Sequence, residues 1–598
     1  MIKTILEKFR ELIHRLIKRP FLGIAVVMFG FGGLIWASLH NFGFWGDCWF
    51  VLFRPYFMEP LEAVKSHADR FGRPGEVLYY IPMLKIAGFQ AKTWLLVSFF
   101  WLGAASLLCG GCLRRSFPDL KFMHVGVPLL IFFSGAMGPL VYRMDVDQGR
   151  LCLLFFWLST TAYQYYVLRR NKGLWRTFPL LVLAGLAYLY SLLCYEATII
   201  LFVSLTLLLL PLWLAMDMRF RLKTALEIGG MMILIPAIYL VMRYQLFGGG
   251  KDKPLRNIPR LDGYPEAARN ALEYLVAPFY HIQWDFEVGL VFISALGVIG
   301  YLLWNVQPPA KTFVAKLSPT RQAVLALVFG LIVFAAGASP FLLGKYQYDR
   351  VEFTGHSRIL VASWYGFAIM ILGICSMVRR PHFQRACAVL LATVLSAGGA
   401  LVYDLHRDWE TVSDINARMW HGFFEQVPDV QSKSFFIFRD LYASIPVSPG
   451  TGNRASVFIG FNGLRDFIRI AYDEQKLAAC YLFTDAARTR YPRYQMVVRG
   501  DPAGVISPGT NPNRRPFPAN RYILVQREGY ELKLVDRWIP ETAGSGIVWE
   551  EGATELTTRV SRIRSLSEGD ERTPEDRVRQ LGYRLPPPDY VIPEVKLR

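Results

Sequence analysis

Asp47 lies in Trp45-Gly46-Asp47-Cys48-Trp49, just past the first long apolar run of the chain. Phe42, Phe44 and Phe50 surround it in sequence, which sets its carboxylate at a bilayer boundary. An acid there is costly unless it is used or paired. The alternatives to a functional acid are a solvated loop residue or one paired with a neighbour such as Arg54. Asp145 and Asp147 form a D-x-D in a short later loop. Two carboxylates at that spacing can share a hard divalent cation, which prefers oxygen ligands; the alternative is pairing with Arg143 and Arg150 on either side. Glu196, after Tyr195, either marks a hairpin turn or serves as a metal ligand or acceptor contact. The cations come next. Arg243 lies about one turn inside the end of its apolar run, and Lys345, Arg350, His356 and Arg358 crowd one loop. With Arg54 and Arg73 they suit an anion such as a lipid phosphate, because guanidinium geometry matches phosphate oxygens. Structural ion pairs account for some of them.

Apolar helices must position these groups. Of 598 residues 53% are hydrophobic and 19% charged, against about 45–50% and about 25% in soluble domains. The excess is concentrated in runs long enough for a ~30 Å hydrocarbon core, where only helices satisfy the backbone. About eleven spans are predicted: Phe21–Leu39, Trp94–Leu113, Val125–Val141, Leu151–Val167, Phe178–Cys194, Ala197–Leu214, Ile228–Leu246, Val288–Trp304, Ala323–Leu343, Ile359–Met377 and Ala386–Val402. Alternate loops are basic: Arg114, Arg115 and Lys121; Arg169, Arg170, Lys172 and Arg176; Arg219, Arg221 and Lys223; Lys311, Lys316 and Arg321; Arg379, Arg380 and Arg385. By the positive-inside trend they are cytoplasmic, which puts the loops bearing Asp47, Asp145, Asp147, Glu196 and the anion-suited cations outside.

Residues 1–20 read as a basic amphipathic helix on the cytoplasmic face and 21–403 as the transmembrane domain. Residues 404–560 read as a small extracytoplasmic α+β domain. It has helices at Thr411–Phe424 and Gly463–Glu474 and strands at Ser434–Phe438, Ser456–Ile459, Tyr494–Val498 and Tyr522–Gln526. Residues 561–598, polar and proline-rich, read as a flexible tail. The fold class is therefore an α-helical polytopic membrane protein with a small C-terminal α+β domain, in the plasma (inner) membrane, N-terminus cytoplasmic and C-terminal domain periplasmic.

Several functions are disfavoured. The net charge of +19 is spread through short loops rather than gathered in a basic domain with stacking aromatics, so no nucleic-acid partner is expected. There is no phosphate-binding glycine loop, zincin helix or nucleophile elbow. Cys109 and Cys112 spell CxxC at the end of a span and read as small packing residues. Cys48 and Cys480 fall on the same side and could pair.

The pattern resembles the GT-C superfamily of membrane glycosyltransferases, which use polyprenyl-phosphate or polyprenyl-pyrophosphate sugars. The resemblance covers the membrane part and is one of architecture plus sparse residues. It implies that Asp47, in the long first outer loop, is the general base of an inverting transfer. It implies that Asp145 and Asp147 hold a divalent cation such as magnesium or manganese, as such a pair does in some members. Arg243, Lys345, His356, Arg358 and Arg54 would bind the donor phosphate, and Glu196 would lie near the acceptor or metal. The partners implied are the bilayer, a polyprenyl-phosphate-linked sugar, and an extracytoplasmic glycan, lipid or protein acceptor. The chain departs from the family in placing the first-loop acid in Gly-Asp-Cys rather than in paired acids. It also lacks the tryptophan-tryptophan-aspartate signature of oligosaccharyltransferases, which disfavours protein N-glycosylation. Competing readings are a polysaccharide polymerase or ligase, a lipid-linked-sugar transporter or flippase, and a docking scaffold.

Overall fold

Long runs of Leu, Val, Ile and Phe free of charge give helices whose backbone groups are satisfied within each segment. The computed structural model describes residues 20–44, 48–71, 73–134, 147–170, 174–195, 198–215, 218–246, 263–306, 317–343, 361–378, 380–430, 432–439, 441, 444–446, 453–456, 463–482, 496–498, 504–506, 517–518, 522–538, 547–549, 556–558 and 572–587. The expected amphipathic helix over 1–20 lies outside these residues, apart from Pro20.

Helix α1 (Pro20–Ser38) is followed by three short helices, α2 (Cys48–Phe57), α3 (Pro60–Phe71) and α4 (Pro74–Ala87). Then come α5 (Ala91–Ser116), α6 (Met123–Phe132), α7 (Asp147–Arg169), α8 (Leu174–Cys194), α9 (Thr198–Ala215) and α10 (Met218–Val241), the last continuing into a π-helical turn at Met242–Leu246. After α11 (Gly263–Val276) and α12 (Pro278–His281) run α13 (Phe286–Trp304), α14 (Pro319–Leu343), α15 (Val361–Met377) and α16 (Pro381–Gln426). Among the described residues 8 helices are long and apolar enough to cross a membrane: α1, α5, α7, α8, α10, α13, α14 and α16. The chain is a multi-pass α-helical membrane protein.

Eleven spans were expected. The other three overlap α6, α9 and α15, of 10, 18 and 17 residues, where a full crossing takes about 17–25; residues 135–141 of the expected third span lie outside the described residues. Helix α6 differs most from a span. At ~1.5 Å per residue it reaches only about half the hydrocarbon core. All ten of its residues are buried, so it packs inside the bundle. The indole Nε1 of Trp364 donates to Leu130 O at its C-terminal end (3.2 Å), satisfying a carbonyl that lipid could not.

The flanks of the basic loops meet at one end of the bundle. Arg115 Nε donates to Gln164 Oε1 (2.7 Å), Arg170 Nη2 pairs with Glu227 Oε1 (2.9 Å), and Gln322 Nε2 donates to Asp119 Oδ2 (2.6 Å). These contacts join the ends of α5, α7, α10 and α14.

Helix α16, 46 residues long, overturns one sequence expectation. A membrane helix ending at Val402 and a separate helix over Thr411–Phe424 are one element, because no proline or glycine interrupts 401–421. At ~1.5 Å per residue it is more than twice the depth of the hydrocarbon core. Its far end docks on a sheet of four strands: β1 (Phe435–Arg439), β2 (Ala478–Leu482), β3 (Tyr522–Glu528) and β4 (Glu531–Leu534). The order is β2-β1-β3-β4, with β1 parallel to both neighbours and β3–β4 antiparallel. Helix α17 (Leu464–Tyr472) precedes β2. Trp420 of α16 lies 4.4 Å from Phe467 of α17 between ring centroids. Gln426 Nε2 donates to Leu532 O (2.8 Å) and its Oε1 accepts from Leu534 N (3.2 Å). Short strands at Asn453–Ser456 and Met496–Val498 adjoin the expected positions.

The tail expectation is corrected for 572–587. Helix α18 (Pro574–Gln580) begins with a capping box: Asp576 N donates to Thr573 Oγ1 (3.1 Å) and Thr573 N to Asp576 Oδ2 (3.1 Å). The Thr573 hydroxyl, donating to Asp576 Oδ2 (2.8 Å), and then the Thr573 N–H hold the Asp576 carboxyl below its usual range. Arg577 Nη1 donates to Ala471 O (2.7 Å) and Nη2 to Pro428 O (2.9 Å). Beyond the helix, Tyr583 is buried over the segment before α2, its hydroxyl donating to Phe44 O (3.1 Å).

Candidate functional site

Helix α4 is where the flanks of the sequence-selected acids come together. It starts with Pro74 at its N-terminus, a position that needs no N–H partner, and follows α3 directly. The two are joined by a buried cluster. His67 Nε2 lies 3.0 Å from Glu76 Oε2, and Tyr80 donates to Glu76 Oε1 at 3.0 Å. His67 and Glu76 are only 1% and 3% exposed. A carboxylate so deep in the protein is tolerable because both oxygens are engaged.

On its other side α4 meets the two helices that flank the second and third acidic loops. Tyr190 of α8 donates to Gly75 O (3.0 Å). Gly75 lies so close to α8 that a Cβ there would fall 2.8 Å from Leu193 C and 2.9 Å from Cys194 N, so only glycine permits this approach. The Arg73 guanidinium stands over the Tyr195 ring at 4.4 Å. Arg150 of α7, 1% exposed, bears electrostatically on Tyr79 of α4. Burial pushes the Tyr79 phenol up, with the Arg150 charge opposing. Trp49 and Cys48 at the start of α2 are fully buried.

Asp47, Asp145, Glu196, Lys345, His356 and Arg358 lie outside the described residues. So does the side chain of Asp147, whose backbone begins α7. Their described neighbours are informative. Cys48 follows Asp47, Arg150 follows Asp147 by one turn, and Tyr195 precedes Glu196; α2, α7 and α8 all pack on α4. Arg54 is 7% exposed, with Nε donating to Ser66 Oγ (3.1 Å). It also bears on the buried carboxyl of Asp466 in α17, which burial raises and Arg465, Arg469 and Arg54 pull down. Arg54 is thereby tied to the sheet side of the loop. Arg243 sits in the π-helical turn, Nη1 donating to Tyr239 OH (3.0 Å). Such turns are frequent at functional positions. Among the described residues no group of three or more His, Cys, Asp or Glu could hold a metal ion. Cys109 and Cys112 are fully buried, Cys112 Sγ lying 3.2 Å from Thr161 Oγ1.

Sequence reasoning missed a second polar junction, at the end of α1. His40 Nδ1 pairs with Glu410 Oε1 (2.6 Å) and Nε2 with Asp414 Oδ2 (3.2 Å) of α16. Asn41 Nδ2 donates to Asp414 Oδ1 (2.8 Å) and to Arg584 O (2.9 Å), and its Oδ1 accepts from Arg584 N (3.1 Å). The signal was present as Glu410 and Asp414 at i, i+4 on one face of the helix that follows the last apolar run.

A polytopic membrane protein in which α2, α7 and α8 pack on the short helix α4 is the class these observations define. Beyond it the chain stands alone: no family model, no curated protein and no solved structure matches it.

Proposed function

We propose that this protein is a GT-C-like glycosyltransferase that moves a sugar from a polyprenyl-(pyro)phosphate to an extracytoplasmic acceptor. The observation that carries the reading is the packing of α2, α7 and α8 on α4. It draws the sequence neighbours of Asp47, Asp147 and Glu196 to one platform beside the bundle. The basic-loop flanks gather elsewhere, by the contacts joining α5, α7, α10 and α14, which agrees with alternate loops facing opposite sides.

In this mechanism the donor's lipid chain lies in the bilayer and its phosphate is held by cations, for which Arg243, Lys345, His356 and Arg358 are proposed. Asp47 accepts the proton of the acceptor hydroxyl. The hydroxyl oxygen forms its bond to the anomeric carbon from the face opposite the phosphate, the carbon–oxygen bond to phosphate breaks, and configuration inverts. The electron pair leaves with the phosphate, where cations stabilise the growing charge. A divalent cation such as magnesium or manganese at Asp145 and Asp147 would supply Lewis acidity.

The test is transfer of labelled sugar from a polyprenyl-phosphate donor by purified protein in liposomes. Asp47→Asn is expected to lose about 10²–10⁴-fold in kcat, the usual worth of a general base, while retaining donor binding. Wild-type transfer by a folded Asp47→Asn protein would refute the role. Movement of the lipid-linked sugar across the bilayer without covalent product would favour a flippase instead.

A further inference from the structure

Where α1 ends and α5 begins, the returning C-terminal segment closes a cavity of ≈ 450 Å³, within the range of about 300–1,000 Å³ typical of small-ligand sites. His40, Lys92, Arg579 and Arg584 line it, with Glu575 the one acid among its described lining residues. Glu575 is already engaged, its Oε1 lying 3.7 Å from Arg579 Nη2. Two acids beyond the lining, Glu410 and Asp414, both pair with His40, and Glu410 also bears electrostatically on Lys92. Among the described residues no carboxylate pairs with Lys92 or Arg584. Lys92 instead donates to Leu39 O and stands 5.4 Å over the Trp36 ring. Arg584 is held by its backbone to Asn41, which leaves its guanidinium at the rim.

An apolar track runs away from this cationic mouth. Lys92, Leu96 and Phe100 recur at i, i+4 and i+8 of α5 and share one face. Leu96 and Phe100 are exposed, as are Leu34 and Trp36 of α1. Both helices are membrane spans, so this face meets lipid. Lys92 is thus at the boundary, lining the cavity with its ammonium between Leu39 O and the Trp36 ring, the interfacial position that long basic side chains favour.

We propose that this cavity is a binding site for the anionic phosphate head group of a bilayer lipid, held by Lys92 and Arg584 with its acyl chain along Leu96 and Phe100. The charge complementarity selects an anion, and the adjoining track selects an amphiphile over a free ion. The site belongs to α1, α5 and the C-terminal segment rather than to the platform on α4, so it stands apart from the proposed transfer reaction.

Native mass spectrometry of the full chain in detergent provides the test, with titrated phosphatidylglycerol, phosphatidylcholine of equal chain length and inorganic phosphate as probes. Wild type is expected to hold phosphatidylglycerol about tenfold more tightly than phosphatidylcholine, and the Lys92→Gln/Arg584→Gln pair to lose about that factor. Arg584→Gln alone alters an exposed side chain and keeps the test valid should the double variant unfold; it is expected to show part of the loss. The control Lys533→Gln, on the distant β4 strand, is expected to bind as wild type. The proposal is overturned if Arg584→Gln retains phosphatidylglycerol as wild type does, or if the two lipids bind equally. It is also overturned if inorganic phosphate displaces the lipid at equal concentration, which would make the ligand a free anion.

Discussion

At the scale of single residues, the groups that matter most are those whose charge is paid for by a specific partner. Glu76 is the clearest. Its two oxygens face His67 and Tyr80 at 3.0 Å each, away from water. Removing one partner strands a buried acceptor, which costs about 1–3 kcal/mol. His67→Ala is therefore expected to lower the thermal midpoint in detergent, read by a Trp-fluorescence melt, and Tyr80→Phe to do so by a similar amount. Unchanged midpoints in both would mean that the cluster contributes nothing to holding α3 against α4. Neither residue stood out in the sequence. His67 and Glu76 are nine positions apart on two helices, with no motif to join them, and only the turn at Arg73-Pro74 brings them face to face. Asp47 stood out for the opposite reason, since an acid among tryptophans and phenylalanines beside an apolar run conflicts with its neighbours along the sequence.

Elements show where one-dimensional reading works and where it stops. The apolar runs of α1, α5, α7, α8, α10, α13, α14 and α16 were visible because the bilayer imposes length and composition together. Helix α6 shows the limit of such reading, because burial inside a bundle produces the same apolar composition as exposure to lipid, and the rest of the expected span, to Val141, lies outside the described residues. The end of the chain was misjudged because its polar, proline-rich make-up suits disorder, although Thr573-Pro574-Glu575-Asp576 carries a helix start in plain form. That segment depends on one glycine. Gly582 has φ +80, and a Cβ there would fall 1.9 Å from Phe89 O. Gly582→Ala meets both a left-handed backbone and a backbone clash, so Tyr583 cannot keep its place against Phe44. The variant is expected to release the segment after α18, seen as faster removal of the C-terminus by limited proteolysis with the membrane part intact. Cleavage at the wild-type rate would show that the docking does not hinge on this turn.

For the whole molecule, the arrangement of charge is the property that the spans were built to carry. Helices α5, α7, α10 and α14 bring their basic-loop flanks together through Arg115, Arg170 and Gln322, while α4 collects the flanks of the acidic loops. The sequence carries this as basic residues in alternate loops, the feature on which orientation in a membrane depends. What it could not show is that α16 continues beyond the depth of the membrane as a single rod, fixing the sheet to the end where Asn41 meets Arg584. If the basic end faces the cytoplasm, the sheet stands outside. Cysteine labelling decides this. Lys533, on β4, has a 51% exposed side chain, and Trp175, beside a basic loop, is 90% exposed. With an impermeant maleimide on right-side-out vesicles, and the unsubstituted chain as background, Lys533→Cys is expected to label at once and Trp175→Cys only after permeabilisation. The reverse pattern would place the sheet in the cytoplasm and move Asp47 to the side where no extracytoplasmic acceptor could reach it. Equal labelling of both before permeabilisation would break the link between the two ends of the bundle and the two faces of the membrane.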